Sequence, residues 1–133
     1  MIVEGFKALL ELKGYKVSTA ENGREALEEA RKNFFNLALI DIKLPDMEGT
    51  GLLQEFRQLN PQIKLIIITG YSTRENAIES LNLGADGYLE KPLTPNKLLA
   101  VVADKLAEQE TENELYENTV NDLLEHHSSR QSK

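Results

Sequence analysis

Apolar positions along this chain change period again and again, from helical spacing to strand spacing and back. Residues 2–13 place Ile2, Val3, Phe6, Leu9 and Leu10 on one helical stripe, with Gly14 as a natural C′ residue. Residues 15–20 are β-prone and alternate, with Tyr15, Val17 and Thr19 on one side, the pattern of a strand at or near a sheet edge. Asn22 suits the N-cap of a helix over 23–32 whose inner stripe is Ala26, Leu27 and Ala30. Leu37-Ala38-Leu39-Ile40 then runs into Asp41, and the loop holding Pro45 and Gly49 stops that strand. Residues 50–59 read as a helix with Leu52, Leu53, Phe56 and Leu59 inward, ended by Asn60-Pro61. In residues 64–69 the run Leu65-Ile66-Ile67-Ile68 does not alternate, which predicts a strand covered on both faces. A weaker helix over 73–83 carries Ala77, Ile78 and Leu81 and closes at Gly84. Residues 86–90 form a short strand with Tyr88 and Leu89, and Lys91-Pro92 follows it. Thr94 as N-cap and Pro95 at N1 open the last helix.

Helices and strands therefore alternate strictly, with short links. That order predicts an α/β domain with a parallel sheet and right-handed crossovers. The chain opens on a helix, so the first βαβ unit lacks its first strand, and four strands are expected.

Nothing breaks a helix from Pro95 to His127, since no Gly and no second Pro occurs there. One rod over 96–127 would span about 48 Å, far more than the sheet needs. Leu99, Val102, Leu106, Gln109, Asn113, Tyr116, Val120 and Leu123 follow a 3-4 spacing. One reading is a heptad seam whose polar members, Gln109 and Asn113, set register in a homodimer. The other is a last helix that frays beyond Leu106 into a charged tail. The domain division on either reading is 1–107 for the body and 108–133 for the tail.

Composition narrows the classes. The 133 residues are one domain by length, 41% hydrophobic and 28% charged, without a cysteine. No apolar run approaches the roughly 20 residues of a membrane span and no signal peptide is visible, so the cytoplasm is the expected location. The net charge of −7 is concentrated in residues 104–133, which hold eight acids against three bases. A near-neutral body with an acidic tail argues against non-specific nucleic-acid binding. His126 and His127, adjacent and exposed in expectation, are a poor basis for zinc.

Three polar residues end three successive predicted strands: Asp41, Thr69 and Lys91. Parallel strands bring those ends side by side, on the edge where open α/β sheets bind ligands. Singly, each has a structural explanation: a loop-capping Asp, an ordinary Thr-Gly turn, a solvated Lys before Pro. Together they suit acceptance of a phosphoryl group, with a carboxylate nucleophile and a hydroxyl and an ammonium for the adduct. Gly70 leaves room for backbone N–H groups to approach the phosphate.

With these residues in place the chain resembles the receiver domain of two-component response regulators over roughly residues 1–107. The resemblance is carried by Asp41 with Pro45 and Gly49, by Thr69-Gly70, by Gly84-Ala85, and by Tyr88 ahead of Lys91-Pro92. It implies a flavodoxin-like doubly wound parallel sheet of order 2-1-3-4-5, truncated here at its N-terminus. It also implies that Asp41 is the phosphoacceptor, that Thr69 and Lys91 bind the phosphoryl oxygens, and that Thr69 and Tyr88 switch together. The Lys43 backbone carbonyl becomes a Mg²⁺ ligand beside Asp41, and Lys91-Pro92 a cis peptide. A sensor histidine kinase or phosphotransfer protein is the implied donor. With no helix-turn-helix in the sequence, output is expected through a downstream protein.

The departures are as specific as the matches. The family's first strand ends in an acidic pair that holds Mg²⁺, and this chain has neither the strand nor the pair. A weak or absent Mg²⁺ site is the expectation, and with it a second reading: a pseudo-receiver that binds partners without being phosphorylated. The missing strand is also the second of five, so its neighbours would stand about 10 Å apart with no ladder between them. A strand exchanged from another chain could fill the gap. Alternatively Met1 is an internal methionine, and about ten upstream residues restore the pattern. An aspartyl phosphatase would want a second Asp where Lys43 stands, and a flavodoxin would want a Ser/Thr/Gly-rich loop.

Overall fold

A computed structural model describes residues 4–41, 44–47, 49–70, 74–82 and 84–131. Met1, Ile2, Val3 and Lys43, named above, and residues 73 and 83, the ends of one expected helix, lie outside the described residues, as do the side chains of Ala77, His126 and His127. The elements are α1 (Glu4–Leu12), α2 (Gly23–Lys32), β1 (Leu37–Asp41), α3 (Gly49–Leu59), β2 (Lys64–Thr69), α4 (Arg74–Asn82), β3 (Gly87–Glu90) and α5 (Pro95–Gln131). The sheet is parallel with order β1-β2-β3, and the register runs from Leu37 opposite Lys64 to Thr69 opposite Glu90.

The non-alternating run in β2 is covered on both faces, all six of its residues being buried. Leu65 and Ile67 meet Ala26, Leu27, Leu52, Leu53 and Phe56, so α2 and α3 form one layer. Ile66 and Ile68 meet Leu10, Leu98 and Val102, so α1 and α5 form the other. The sheet lies between them, as the alternation of elements predicts. Asn22 caps α2 as expected, its Oδ1 accepting the Glu25 N–H at 2.8 Å. Gly14 sits at φ 94°, and Tyr15 N–H donates back to Leu10 O at 3.2 Å, closing α1 in a manner a side chain would resist.

Three expectations need correction. Residues 15–20 form no ladder among the described residues, so the sheet has three strands rather than four. Their β-propensity finds no paired strand among the described residues. Tyr15 and Val17 still pack against the α1/α5 layer. Leu59 is 45% exposed, because it lies in the last turn of α3 where the sheet no longer backs the helix. Ile78 and Leu81 are about half exposed. Their helix, α4, flanks the four-residue edge strand β3 and finds little surface to cover.

The last helix, α5, is the element for which the sequence leaves two readings open. It runs on as one helix through residue 107 to Gln131 and does not fray at Leu106. Val102 and Gln109 are buried and Leu99 and Leu106 partly so, all against this chain's own body. Gln109 Nε2 donates to Asn36 O at 2.7 Å and Gln62 O at 2.8 Å, and its Oε1 accepts from Asn36 Nδ2 at 3.1 Å. Nearby, the buried Lys64 Nζ reaches Glu112 Oε1 at 2.8 Å. The first half of the seam is thus spent on the domain itself. Tyr116 and Leu123, further along, are more than 60% exposed.

Candidate functional site

Asp41 is the last residue of β1, Thr69 the last of β2, and Lys91 the first after β3. The β1–β2–β3 register sets these three ends side by side. Lys91 N–H donates to Thr69 O at 2.8 Å, one step beyond the end of β3. That bond fixes the base of the lysine, whose Nζ then spans β2 to reach Asp41 Oδ2 at 2.6 Å. The contact is a charge-assisted hydrogen bond between a half-exposed ammonium and a carboxylate only 20% exposed. Thr69 is 1% exposed. The peptide between Lys91 and Pro92 is cis, in line with the resemblance.

Chemically, Asp41 offers an oxygen nucleophile at an accessible sheet edge, and Lys91 a cation that can follow charge from the carboxylate to an adduct. Gly70 is exposed, and a Cβ built on it comes no nearer than 3.9 Å to Lys91 Cδ. Packing among the described residues therefore does not demand glycine there. Tyr88 lies on the α2/α3 side of β3, its enclosed hydroxyl without a hydrogen-bond partner among the described residues.

The loop after β1 carries a residue that sequence reasoning missed. Asp46 Oδ1 accepts the Gly23 N–H at 2.9 Å and its Oδ2 accepts the Arg24 N–H at 3.0 Å. A carboxylate from the loop thereby caps the N-terminus of α2, where the helix dipole favours negative charge. Leu44 and Met47 pack into the same layer, and a Cβ on Gly23 would meet Met47 Sδ at 2.5 Å. The Asp41 loop is tied to α2 at several points, with Pro45 exposed on its turn and Gly49 opening α3. The free N–H groups at the start of any helix were the available signal, but nothing local says which acid fills them.

These bonds have a pH signature. The Gly23 N–H holds the Asp46 carboxyl below its ordinary 3.8, partial desolvation opposes this, and the Arg24 N–H adds to it. A lowered folded-state value means the contribution to stability is complete above the unfolded value and disappears as pH falls through the folded one. Denaturation midpoints taken between about pH 5 and pH 2 are expected to fall less steeply in Asp46→Asn than in the parent. Identical acid limbs would show that the cap is not formed.

The donors suited to a divalent metal are few. Among the described residues no group of three His, Cys, Asp or Glu side chains comes together, and Asp46 is already engaged by α2. Mg²⁺ commonly binds through one or two carboxylates, with water and phosphate oxygens completing its shell, and Asp41 is the carboxylate placed to contribute one of them. The Lys43 carbonyl, implied as a ligand by the resemblance, lies outside the described residues.

A family model described as the response regulator receiver domain matches residues 1–103. The transcriptional regulatory protein ZraR of Escherichia coli strain K12 is 44% identical over 101 residues, which cover 76% of this chain and 23% of that protein. The chain thus spans less than a quarter of that relative. The crystal structure of a CheY-like receiver domain protein from Methanospirillum hungatei JF-1 matches with a TM-score of 0.78 at 50% identity, over 82% of this chain and 87% of that one. A response regulator from Burkholderia pseudomallei, crystallised with a phosphorylated aspartic acid, a calcium ion and citrate, matches with a TM-score of 0.71 at 30% identity, over 84% and 66%.

Proposed function

Because the chain belongs to the receiver domain family of two-component response regulators, we infer that Asp41 accepts a phosphoryl group from a histidine kinase or phosphotransfer protein. The observation that carries this reading is the 2.6 Å contact of Lys91 with Asp41, made beside Thr69 at the carboxyl edge of a parallel sheet. In the transfer, an Asp41 oxygen forms a bond to phosphorus as the N–P bond of the donor's phosphohistidine breaks. The histidine nitrogen keeps the electron pair. Lys91 passes from the carboxylate to a phosphoryl oxygen, the Thr69 hydroxyl donates to another, and Gly70 leaves room for the group. Tyr88, whose hydroxyl has no hydrogen-bond partner among the described residues, turns with Thr69 and changes the surface shown to a downstream protein.

In this reading residues 1–107 are the receiver unit and 108–133 a helical extension available for homodimer contacts, in the cytoplasm. The scaffold positions are Pro45, Gly49, Gly70 and Pro92. That no group of three His, Cys, Asp or Glu side chains comes together among the described residues favours a second reading, an interaction module of the same fold that is not phosphorylated. Incubation with acetyl phosphate and Mg²⁺, followed by intact-mass measurement, separates the two. The first predicts a gain of one phosphoryl group that Asp41→Asn abolishes. No gain here, together with a gain in a version extended by a strand ending in two acids, leaves only the second.

A further inference from the structure

Where α2 and α3 end, below the sheet, Phe34, Phe35, Phe56, Leu59 and Ile63 line an open hollow of about 310 Å³. None of its lining belongs to residues 15–20 or to β1. Phe34 is 71% exposed and Leu59 45%, so two large apolar side chains meet water together. Arg31 and Lys32, in the last turn of α2, stand at its rim. Both are exposed, and neither makes an ion pair among the described residues. The hollow is thus apolar within and basic at its edge.

The tail helix leaves the body at the same end, where Gln109 bonds to Asn36 and Gln62. The 3-4 face that Val102 and Gln109 bury continues as Tyr116, Val120 and Leu123, with Leu124 beside them. Tyr116, Leu123 and Leu124 are each more than half exposed. Glu114 and Glu117, three residues apart and exposed, edge this stripe. No Lys or Arg occurs between Lys105 and Arg130 to offset them. One chain therefore carries both an acid-edged apolar helix and a base-edged apolar hollow.

We propose that two copies of this chain pair by laying the tail helix of each across the hollow of the other. Leu123 and Leu124 cover Phe34 and Leu59, while Glu114 and Glu117 approach Arg31 and Lys32. A two-fold axis makes both contacts at once. A chain does not serve its own hollow, because α5 is a single helix to Gln131 that carries residues 110–131 onward for about 30 Å. Pairing tail on tail would instead press together two stripes edged by the same acids. At about 100 Å² each, the exposed parts of Phe34, Leu59, Tyr116, Leu123 and Leu124 hide about 500 Å² per protomer. That falls short of the roughly 800 Å² of a standard interface, so the dimer is a reversible one. This contact rests on the reading of residues 108–133 as a homodimer surface, and Asp41 and Lys91 take no part in it.

Sedimentation of the full chain is expected to show a concentration-dependent dimer that weakens as salt rises, because opposite charges meet across it. Arg31→Glu with Lys32→Glu is expected to weaken it at least about tenfold, and so is Glu114→Lys with Glu117→Lys. All four substitutions in one chain are expected to restore it, since each reversed edge again faces its opposite. The four positions are exposed, so circular dichroism is expected to show every variant folded. A chain that stays monomeric at every concentration overturns the contact and the homodimer reading together. A dimer that tightens with salt, or in the tail variant alone, overturns only the contact and assigns the seam to tail on tail. Indifference to the Arg31 and Lys32 reversal overturns it too, as does a fourfold variant that fails to recover.

Discussion

Gln109→Ala is expected to lower the unfolding free energy by about 3 kcal/mol, a large share of the 5–15 kcal/mol typical of a domain. The amide makes three hydrogen bonds while only 3% exposed, two of them to carbonyls at the foot of the sheet. Truncation leaves the Asn36 and Gln62 carbonyls and the Asn36 amide without these partners, each costing about 1–3 kcal/mol where water cannot return. Urea denaturation followed by circular dichroism measures the loss. Tyr116→Ala, at the next d position of the same 3-4 pattern, is the control. Its side chain is 62% exposed, so a change within about 0.5 kcal/mol is expected. If Gln109 instead held two chains together, its effect would vary with protein concentration, and an observed dependence would reject the intrachain role.

The second large effect is expected at Arg57, at the same end of the molecule. Its guanidinium donates to Ile63 O at 2.6 Å, Gly84 O at 2.7 Å, Pro61 O at 3.2 Å and Asp86 Oδ2 at 2.9 Å. Asp86 Oδ2 also accepts the Leu65 N–H at 2.8 Å, so one carboxylate joins α3 to the start of β2. Arg57→Ala is expected to cost about 2–3 kcal/mol, less than a fully buried pair because the side chain is one-third exposed. Arg57→Lys recovers little of it, since an ammonium cannot face four acceptors in a planar fork. A double-mutant cycle with Asp86→Ala is expected to show coupling of about 1 kcal/mol. Strict additivity would mean that the two residues act separately.

These clamps show where sequence reasoning loses its grip. The run at Leu65–Ile68 and the cap at Asn22 are legible because their causes are local: a side-chain period, or an oxygen three residues from a free N–H. Asp41, Thr69 and Lys91 are legible because a parallel sheet aligns the ends of its strands. Gln109 is different, because a 3-4 spacing looks the same whether a helix packs on its own sheet or on a twin. Residues 15–20 have the composition of a strand, but a strand also needs an adjacent ladder, which composition does not contain. Asp46 caps a helix that begins 23 residues earlier, and no local pattern links the two.

The Asn36–Gln109 pair also bears on the order of folding during synthesis. It closes a loop of 73 residues and joins the foot of β1 to a residue about four turns along a helix that starts at the opposite edge. The Asn36 and Gln62 carbonyls and the Lys64 ammonium find these partners only after residues 109 and 112 have left the ribosome. Such non-local closure is slow to form, and until it does the nascent sheet keeps its lower rim open to water and to other chains. A truncation at residue 107 would hold every molecule in that unfinished state.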